Sequence, residues 1–329
     1  MHIDSLSIEN LKLGFGDQLL ISEAHATMQK GKLYALLGEN GSGKSTLMDT
    51  ILGLQNPLSG NILYGSTLVD EISNADKAKQ IAYVSTRQVV PYEMNVFELV
   101  ASGRYPYTSW FGKLEEKDRK VVEEALELTG TSAFQHRTVE SLSDGERQKV
   151  FIARAIAQQT PFIVLDEPAS FLDFNNKVEL MKLLLVLVRK LNKGVLFSSH
   201  DLDLALSAAD TAWVIHDTKL TVGSPEQLIL TGFFQHFFEN KSICFDGDTG
   251  RFEYEISAVQ SYKTTVELIT EDEVLSYWTK RALRKSGIGV EENSPYKVYI
   301  SKSDDDISWK AEGSEMKSVE ELIEFLLVR

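Results

Sequence analysis

The sequence predicts an α/β domain with a largely parallel sheet and a helical insertion, followed by a small α+β domain. Three patterns carry that expectation. Short apolar runs at 32–37, 162–165, 195–198 and 212–215 are separated by helical stretches, which is how parallel strands with crossover helices read. The first run ends in Gly38-Glu39-Asn40-Gly41-Ser42-Gly43-Lys44-Ser45-Thr46, with a helix-like segment over 47–54 behind it. After about residue 230 the alternation resets into a new series of strands and helices.

Taken in order, residues 3–13 alternate as a strand, and 60–64 and 81–84 read as two more. From 93 to 160 the chain turns mostly helical: Leu114, Val121, Ala125 and Leu128 recur at helical spacing, and Gly130 is a stop. This helical subdomain, at about 88–160, is inserted between two sheet-forming halves. A helix around 178–191 connects the strands of the second half. The domains are therefore expected at 1–230 and 231–329. In the second, Phe233, Phe234, Phe237 and Phe238 are expected to form a packing seam. A strand over 252–268, a helix over 271–286, strands over 296–301 and 306–311, and a helix over 318–328 follow. Asp304-Asp305-Asp306 sits at the hairpin and reads as a solvated turn ahead of a metal site.

Length and charge narrow the function. A chain of 329 residues suits two domains. Its 43% apolar and 25% charged residues are those of an ordinary globular protein. The formal charge of -14 disfavours non-specific nucleic-acid binding, which needs clustered basic surface. Cys244 is the single cysteine, which excludes an internal disulfide and fits a reducing compartment. No apolar run reaches the roughly 18 residues of a membrane span, and Met1-His2-Ile3-Asp4 lacks the features of a signal peptide. A cytoplasmic location is expected.

The chemistry is concentrated in three motifs. Gly38 to Ser45 satisfies the pattern G-x-x-x-x-G-K-[S/T], a P-loop. Its glycines let backbone N–H groups wrap phosphates, Lys44 reaches the terminal ones, and Ser45 offers a hydroxyl to Mg²⁺. Asp166 and Glu167 follow four apolar residues, which puts carboxylates at the carboxyl edge of the sheet, where open α/β folds bind ligands. Asp166 suits a Mg²⁺ shell, and Glu167 suits the general base for an attacking water. Ser143 followed by Glu146 is a capping box, and a helix that begins with serine, glycine and exposed N–H groups can also hold a phosphate.

In this order the motifs resemble those of ABC transporter ATPase subunits, from about residue 3 to residue 230. The resemblance implies a P-loop NTPase (RecA-like) ABC nucleotide-binding domain, ATP and Mg²⁺ as ligands, and hydrolysis at a head-to-tail dimer interface. It implies that Phe15 stacks on adenine and that Leu142-Ser143-Asp144-Gly145-Glu146 is the ABC signature, facing ATP held by the other copy. It further implies that Asp173 closes the D-loop and that His200 is the switch histidine contacting the γ-phosphate. Two positions depart from the family. Asp144 and Glu146 replace its usual glycine and glutamine; the acid at Asp144 adds negative charge near the phosphate site of the dimer, which implies modest ATP affinity or turnover. The Q-loop glutamine position holds Thr86, with Gln88 two residues on; either could serve as Mg²⁺ ligand and relay.

Asn95-Val96-Phe97-Glu98-Leu99-Val100 and Gly103-Arg104-Tyr105-Pro106 resemble a segment of iron–siderophore, haem and cobalamin importer ATPases, and the match continues through Asp118 and residues 121–126. By that resemblance Tyr105, Tyr107, Trp110 and Phe111 either dock on a permease or pack the insertion. The implied partners are a second ABC ATPase chain, an integral membrane permease and, indirectly, a periplasmic or surface substrate-binding protein. The chain would then lie on the inner face of the membrane through the permease. Two alternatives are a soluble ABC ATPase in a nucleic-acid or assembly role, and an ATP-binding regulator with little turnover. Long coiled-coil insertions and tandem ATPase domains do not occur here, and Glu167 weakens the regulator. The domain over 231–329 is longer than such a subunit needs and suits a regulatory or dimer-stabilising role.

Overall fold

The computed structural model describes residues 3–16, 18–86, 88, 92–108, 113–238, 243–246, 251–254, 262, 264–303 and 306–328. The chain divides into two compact units, Met1–Phe233 and Phe234–Arg329. No helix among the described residues is long and apolar enough to cross a membrane.

The first unit opens with β1 (Ser5–Phe15), β2 (Gln18–Gln29) and β3 (Leu33–Gly38), then α1 (Lys44–Ile51), β4 (Ser59–Tyr64), β5 (Thr67–Leu68), α2 (Asn74–Lys77) and β6 (Ile81–Val84). The insertion follows as α3 (Val96–Ala101), a 3-10 segment Ser102–Tyr107, α4 (Glu116–Leu128) and α5 (Asp144–Ala157). The core resumes with β7 (Phe162–Leu165), α6 (Phe174–Arg189), β8 (Gly194–Ser198), α7 (Leu202–Ala208), β9 (Thr211–His216), β10 (Lys219–Gly223) and α8 (Pro225–Leu230).

These ten strands form one sheet in the order β5-β4-β1-β2-β10-β9-β3-β8-β7-β6. The half β9-β3-β8-β7-β6 is parallel throughout, as the strand–helix alternation predicts. The other half is mostly antiparallel, so the sheet is mixed rather than largely parallel. Three of its strands, β2, β5 and β10, have no counterpart among those expected from the sequence. β2 mixes Ala24, Ala26 and Glu23, types with weak strand preference, among its apolar residues, and is held as a strand by its pairing with β1. The core beneath this half is built from alternate residues of β1 and β2, including Leu6, Ile8, Ile21 and Met28, packed with Leu47, Met48 and Trp213.

In the insertion, α4 buries Asp118, Val122, Ala125 and Leu126: Ala125 faces inward as expected, while Val122 and Leu126 take the places expected of Val121 and Leu128. The shift has a polar cause. Arg104 Nε donates to Asp118 Oδ1 at 3.0 Å with both side chains buried, and Arg104 Nη1 also donates to Ala157 O at 2.8 Å. A buried ion pair stays paired because breaking it strands a charge, so it sets which face of α4 turns inward.

The second unit holds α9 (Phe233–Phe237 at its start), the hairpin β11 (Ile243–Asp246) and β12 (Arg251–Tyr254), then β13 (Thr264–Ile269), α10 (Glu273–Lys285), β14 (Ile288–Val290), β15 (Lys297–Lys302), β16 (Ile307–Ala311), β17 (Ser314–Met316) and α11 (Val319–Leu327). The single strand expected over 252–268 is instead β12 in a two-stranded sheet and β13 in a five-stranded one of order β14-β13-β15-β16-β17. Val266, Leu283, Val298, Trp309 and Leu322 close its core, with Trp309 Nε1 donating to Thr279 Oγ1 at 3.0 Å. Phe234, Phe237 and Phe238 are buried and meet edge to face, which is the expected seam. Asp304 and Asp305 lie outside the described residues.

Candidate nucleotide site

Parallel register gathers the site. Leu36 of β3 pairs with Ser198 of β8, Leu165 of β7 with Phe197 of β8, and Val84 of β6 with Leu165 of β7. The residues that follow these strands therefore emerge along one carboxyl edge: Gly38 to Thr46, Thr86, Asp166 with Glu167, and His200.

The loop after β3 is shaped by glycines. A Cβ on Gly38 would fall 2.6 Å from Ser42 Oγ, and Gly43 adopts φ +104° with Leu20 at 3.1 Å from any added Cβ. Gly43 is the N-cap of α1, and no side chain caps that helix, so its leading N–H groups and the positive end of its dipole are left for an anion. Lys44 is buried and folds back on the loop, donating to Gly38 O at 2.8 Å and Glu39 O at 3.0 Å. Burial pushes its ammonium below the usual range, opposed by the carboxylates of Glu167, Asp166 and Glu39. Ser42 Oγ is buried without a hydrogen-bond partner, a cost that a phosphate oxygen would remove. Glycines no side chain can replace, an uncapped helix start, a desolvated lysine and an orphaned hydroxyl together fit a polyphosphate.

The carboxylates form a hydrogen-bonded array. Ser198 Oγ donates to Asp166 Oδ1 at 2.8 Å and accepts from the Glu167 N–H at 2.8 Å. Thr86 Oγ1 donates to Asp166 O at 2.8 Å. Glu167 lies 2.5 Å from His200, Oε1 to Nε2, and holds a left-handed φ of +47°. Such strain in a non-glycine residue persists only where its surroundings hold it. Asp166 also pushes up the Asp49 carboxyl, second to burial. Ser45 is exposed beside this array, and a hydroxyl with one carboxylate is the sparse oxygen set that Mg²⁺ completes with phosphates and water. Ser198 escaped the sequence reading as a site residue; a serine ending the apolar run of a buried strand was its only signal.

The residues 143–146 make their contacts elsewhere. Ser143 starts α5 with the predicted capping box: Glu146 N–H donates to Ser143 Oγ at 3.3 Å, while the Ser143 N–H and hydroxyl donate to Glu146 Oε2 at 2.8 and 2.9 Å. Those bonds, with Arg137 and Lys149 nearby, hold the Glu146 carboxyl below its usual range. Asp144 is ion-paired with Arg147, and Gly145 packs against the Asn176 amide. Asp173 caps α6, accepting from Asn176 N–H at 2.8 Å. Gln88 Nε2 donates to Gln148 Oε1 of α5, whereas Thr86 is bonded to the Asp166 carbonyl. Phe15 is 55% exposed at the end of β1, available for stacking. Tyr105 is exposed, Tyr107 lies against Arg104 at 4.2 Å, and Trp110 and Phe111 fall outside the described residues.

Comparison with known proteins shows the family. The family model for ABC transporters matches residues 21–170, and that for the iron ABC transporter C-terminal domain matches residues 262–327. An ABC transporter ATP-binding protein of Methanocaldococcus jannaschii is 34% identical over 262 residues, covering 79% of this chain and 90% of the relative. The siderophore transport system ATP-binding protein YusV of Bacillus subtilis is 35% identical over 239 residues, covering 72% and 87%. The iron(3+)-hydroxamate import ATP-binding protein FhuC of Bacillus subtilis is 34% identical over 271 residues, covering 78% and 100%. Among solved structures, a metal-chelate type ABC transporter in an inward-facing conformation matches with a TM-score of 0.64 at 29% identity, over 73% of this chain and 90% of that one. With its phosphate loop, strand-end carboxylates and histidine on one sheet edge, the chain belongs to the ATP-binding subunits of ABC transporters and is an ABC-type ATPase.

Proposed function

We propose that this chain hydrolyses ATP in a head-to-tail dimer with a second copy, at the inner face of the cell membrane, to drive import of a metal chelate through a separate permease. The chelate would be an iron–siderophore, haem or cobalamin, delivered by a periplasmic or surface binding protein. The observation that carries the hydrolytic part is the Glu167–His200 contact at 2.5 Å on the edge that also holds Lys44 and Asp166. The names of the relatives and the match of residues 262–327 support the cargo class.

Phe15 stacks on the adenine, and the N–H groups of 38–46 wrap the phosphates. Lys44 exchanges its loop carbonyls for phosphate oxygens, which relieves a desolvated ammonium. Ser45 and Asp166 would hold Mg²⁺, which neutralises phosphate charge when bound. Glu167 takes a proton from water as its oxygen bonds to the γ-phosphorus and the bond to the β–γ bridging oxygen breaks, yielding ADP and phosphate. His200 fixes the Glu167 carboxylate and lies in reach of the γ-phosphate. Ser143 and Gly145 of the second copy close the site, with Asp173 at the interface. Thr86 holds the Asp166 backbone, and Gln88, bonded to the helix that carries Ser143, takes the relay role.

The test is reconstitution with a candidate permease in lipid vesicles, followed by ATP-driven uptake of ferric hydroxamate and of cobalamin. Uptake of either that stops with Glu167→Gln supports the proposal. ATP hydrolysis without stimulation by permease or uptake of either chelate would overturn the import role.

A further inference from the structure

A cavity of about 510 Å³ lies at the other edge of the parallel strands, within the first unit. Its walls come from the chain entering β3, β6, β7 and β8 and from Tyr107 of the insertion. The strand entries are tied together: Gly31 N–H donates to Lys193 O and Gly194 N–H to Pro161 O, both at 3.0 Å, and Phe162 N–H donates to Gln80 O at 3.2 Å. The volume is that of a small-molecule site.

Its chemistry is cationic. Lys30, Lys79 and Lys193 line it, all three half-buried. Lys193 donates to Thr160 O, and burial, then the Lys30 ammonium, push its pKa down to about 8. Two amines that repel each other in a desolvated wall are stabilised by an anion between them. Lys30, with a side chain 20% exposed, pairs at 2.5 Å with Asp4, whose side chain is 82% exposed; the solvent-open carboxylate is the partner that an anion bound in the cavity would displace. The carboxylate on the wall, Asp76, already accepts from the Ser73 hydroxyl at 2.6 Å. Gln159 Oε1 accepts from Arg104 at 2.9 Å, so its amide nitrogen is the end left to donate, and its backbone holds a left-handed φ of +54°. Lys79 lies 6.0 Å over the Tyr107 ring, which offers a flat wall to a ligand.

We propose that this cavity is a second ligand site that takes a small polyanion, a polycarboxylate or a phosphorylated metabolite, between Lys30, Lys79 and Lys193 with Gln159 and Tyr107 on its wall. It is separate from the nucleotide site and needs nothing from the proposed transport role. An occupant would touch both the core and the insertion, because Tyr107 and Gln159 flank the Arg104 network that anchors α4.

Calorimetry on the full chain tests it, with citrate and inorganic pyrophosphate as probes. The Lys44→Ala background removes phosphate binding at the nucleotide loop. One molecule of either probe per chain is expected, with affinity falling at least about 10-fold in Lys193→Met and Lys30→Met. Lys193→Arg, which keeps the charge, and Lys79→Met guard against a folding defect: the first retains binding and the second weakens it. Which probe binds selects the anion class. No binding of either probe to the Lys44→Ala parent, or binding in Lys30→Met and Lys193→Met as tight as in that parent, overturns the proposal. In the otherwise native chain these lysine variants keep ATP turnover, so failure here is distinguishable from failure of the ATPase assignment.

Discussion

Two helices begin with a glycine or serine motif and end up with opposite N-termini. α1 starts at Gly43 in a left-handed conformation, with no side-chain cap and no acidic residue in its first turn. α5 starts at Ser143 in a complete capping box, with Asp144 and Glu146 in its first turn. The first leaves its N–H groups and dipole for a ligand. The second already carries its own anion, the Glu146 carboxylate on the Ser143 N–H and hydroxyl. In the proposed dimer, a phosphate held by the second copy would have to compete with Glu146 for the hydroxyl of Ser143. Asp144 matters less than its charge suggests, since Arg147 offsets it. The unusual acid with consequence is Glu146.

The sharpest break in that contrast comes from the chemistry beside α1. Glu167→Gln should lower phosphate release by roughly 10²–10⁴-fold, while ATP still binds and the dimer accumulates on size exclusion; unchanged turnover removes Glu167 as the base. Gly43→Ala comes next. Its φ of +104° and the 3.1 Å approach to Leu20 should distort the loop and weaken ATP by about 10–100-fold in titration calorimetry. Native affinity would mean that the α1 terminus is not the phosphate seat.

At α5 the expected effects are smaller and of mixed sign. Ser143→Ala should cost about 1 kcal/mol of stability, lowering Tm by roughly 2–4 °C. In mixed dimers it should also impair hydrolysis at the site of the unmodified copy; a defect confined to its own copy would leave Ser143 only a cap. Glu146→Gln keeps the box geometry and removes the resident charge, so ATP-driven dimerisation should strengthen a few-fold. It also has a pH signature. Because the folded pKa of Glu146 is depressed, its stabilisation is present above the unfolded value of about 4.3 and is lost as pH falls through the folded value. Melting curves between about pH 6 and pH 3 should therefore fall less steeply for Glu146→Gln than for the native chain. Identical slopes would show that the carboxylate is not engaged.

Much of the site was readable because its constraints are local. Gly38 and Gly43 are dictated by a turn in which a side chain would crowd its neighbours, with Lys44 directly behind them, and Ser143 with Glu146 is a contact across three residues. Other features were hidden because they depend on distant partners. β2 exists through its pairing with β1, not through the strand preference of its residues. The buried face of α4 includes Asp118 because Arg104, 14 residues earlier, reaches it. Ser198 became visible as a site residue only when β8 was laid beside β7, where its hydroxyl joins Asp166 to Glu167.

From the order of residues alone came the phosphate loop, the acid pair after an apolar strand, the capped α5 and the two-part chain. Each is a pattern a few residues long, set by backbone sterics and hydrogen bonding within reach of its neighbours. Tertiary structure decided which of those patterns meet. Parallel pairing of β3, β8, β7 and β6 put Lys44, Asp166, Glu167 and His200 on one edge and lysines 30, 79 and 193 around a cavity at the other. Sequence cannot order strands in a sheet, because that order is chosen by burial and long-range pairing rather than by local preference.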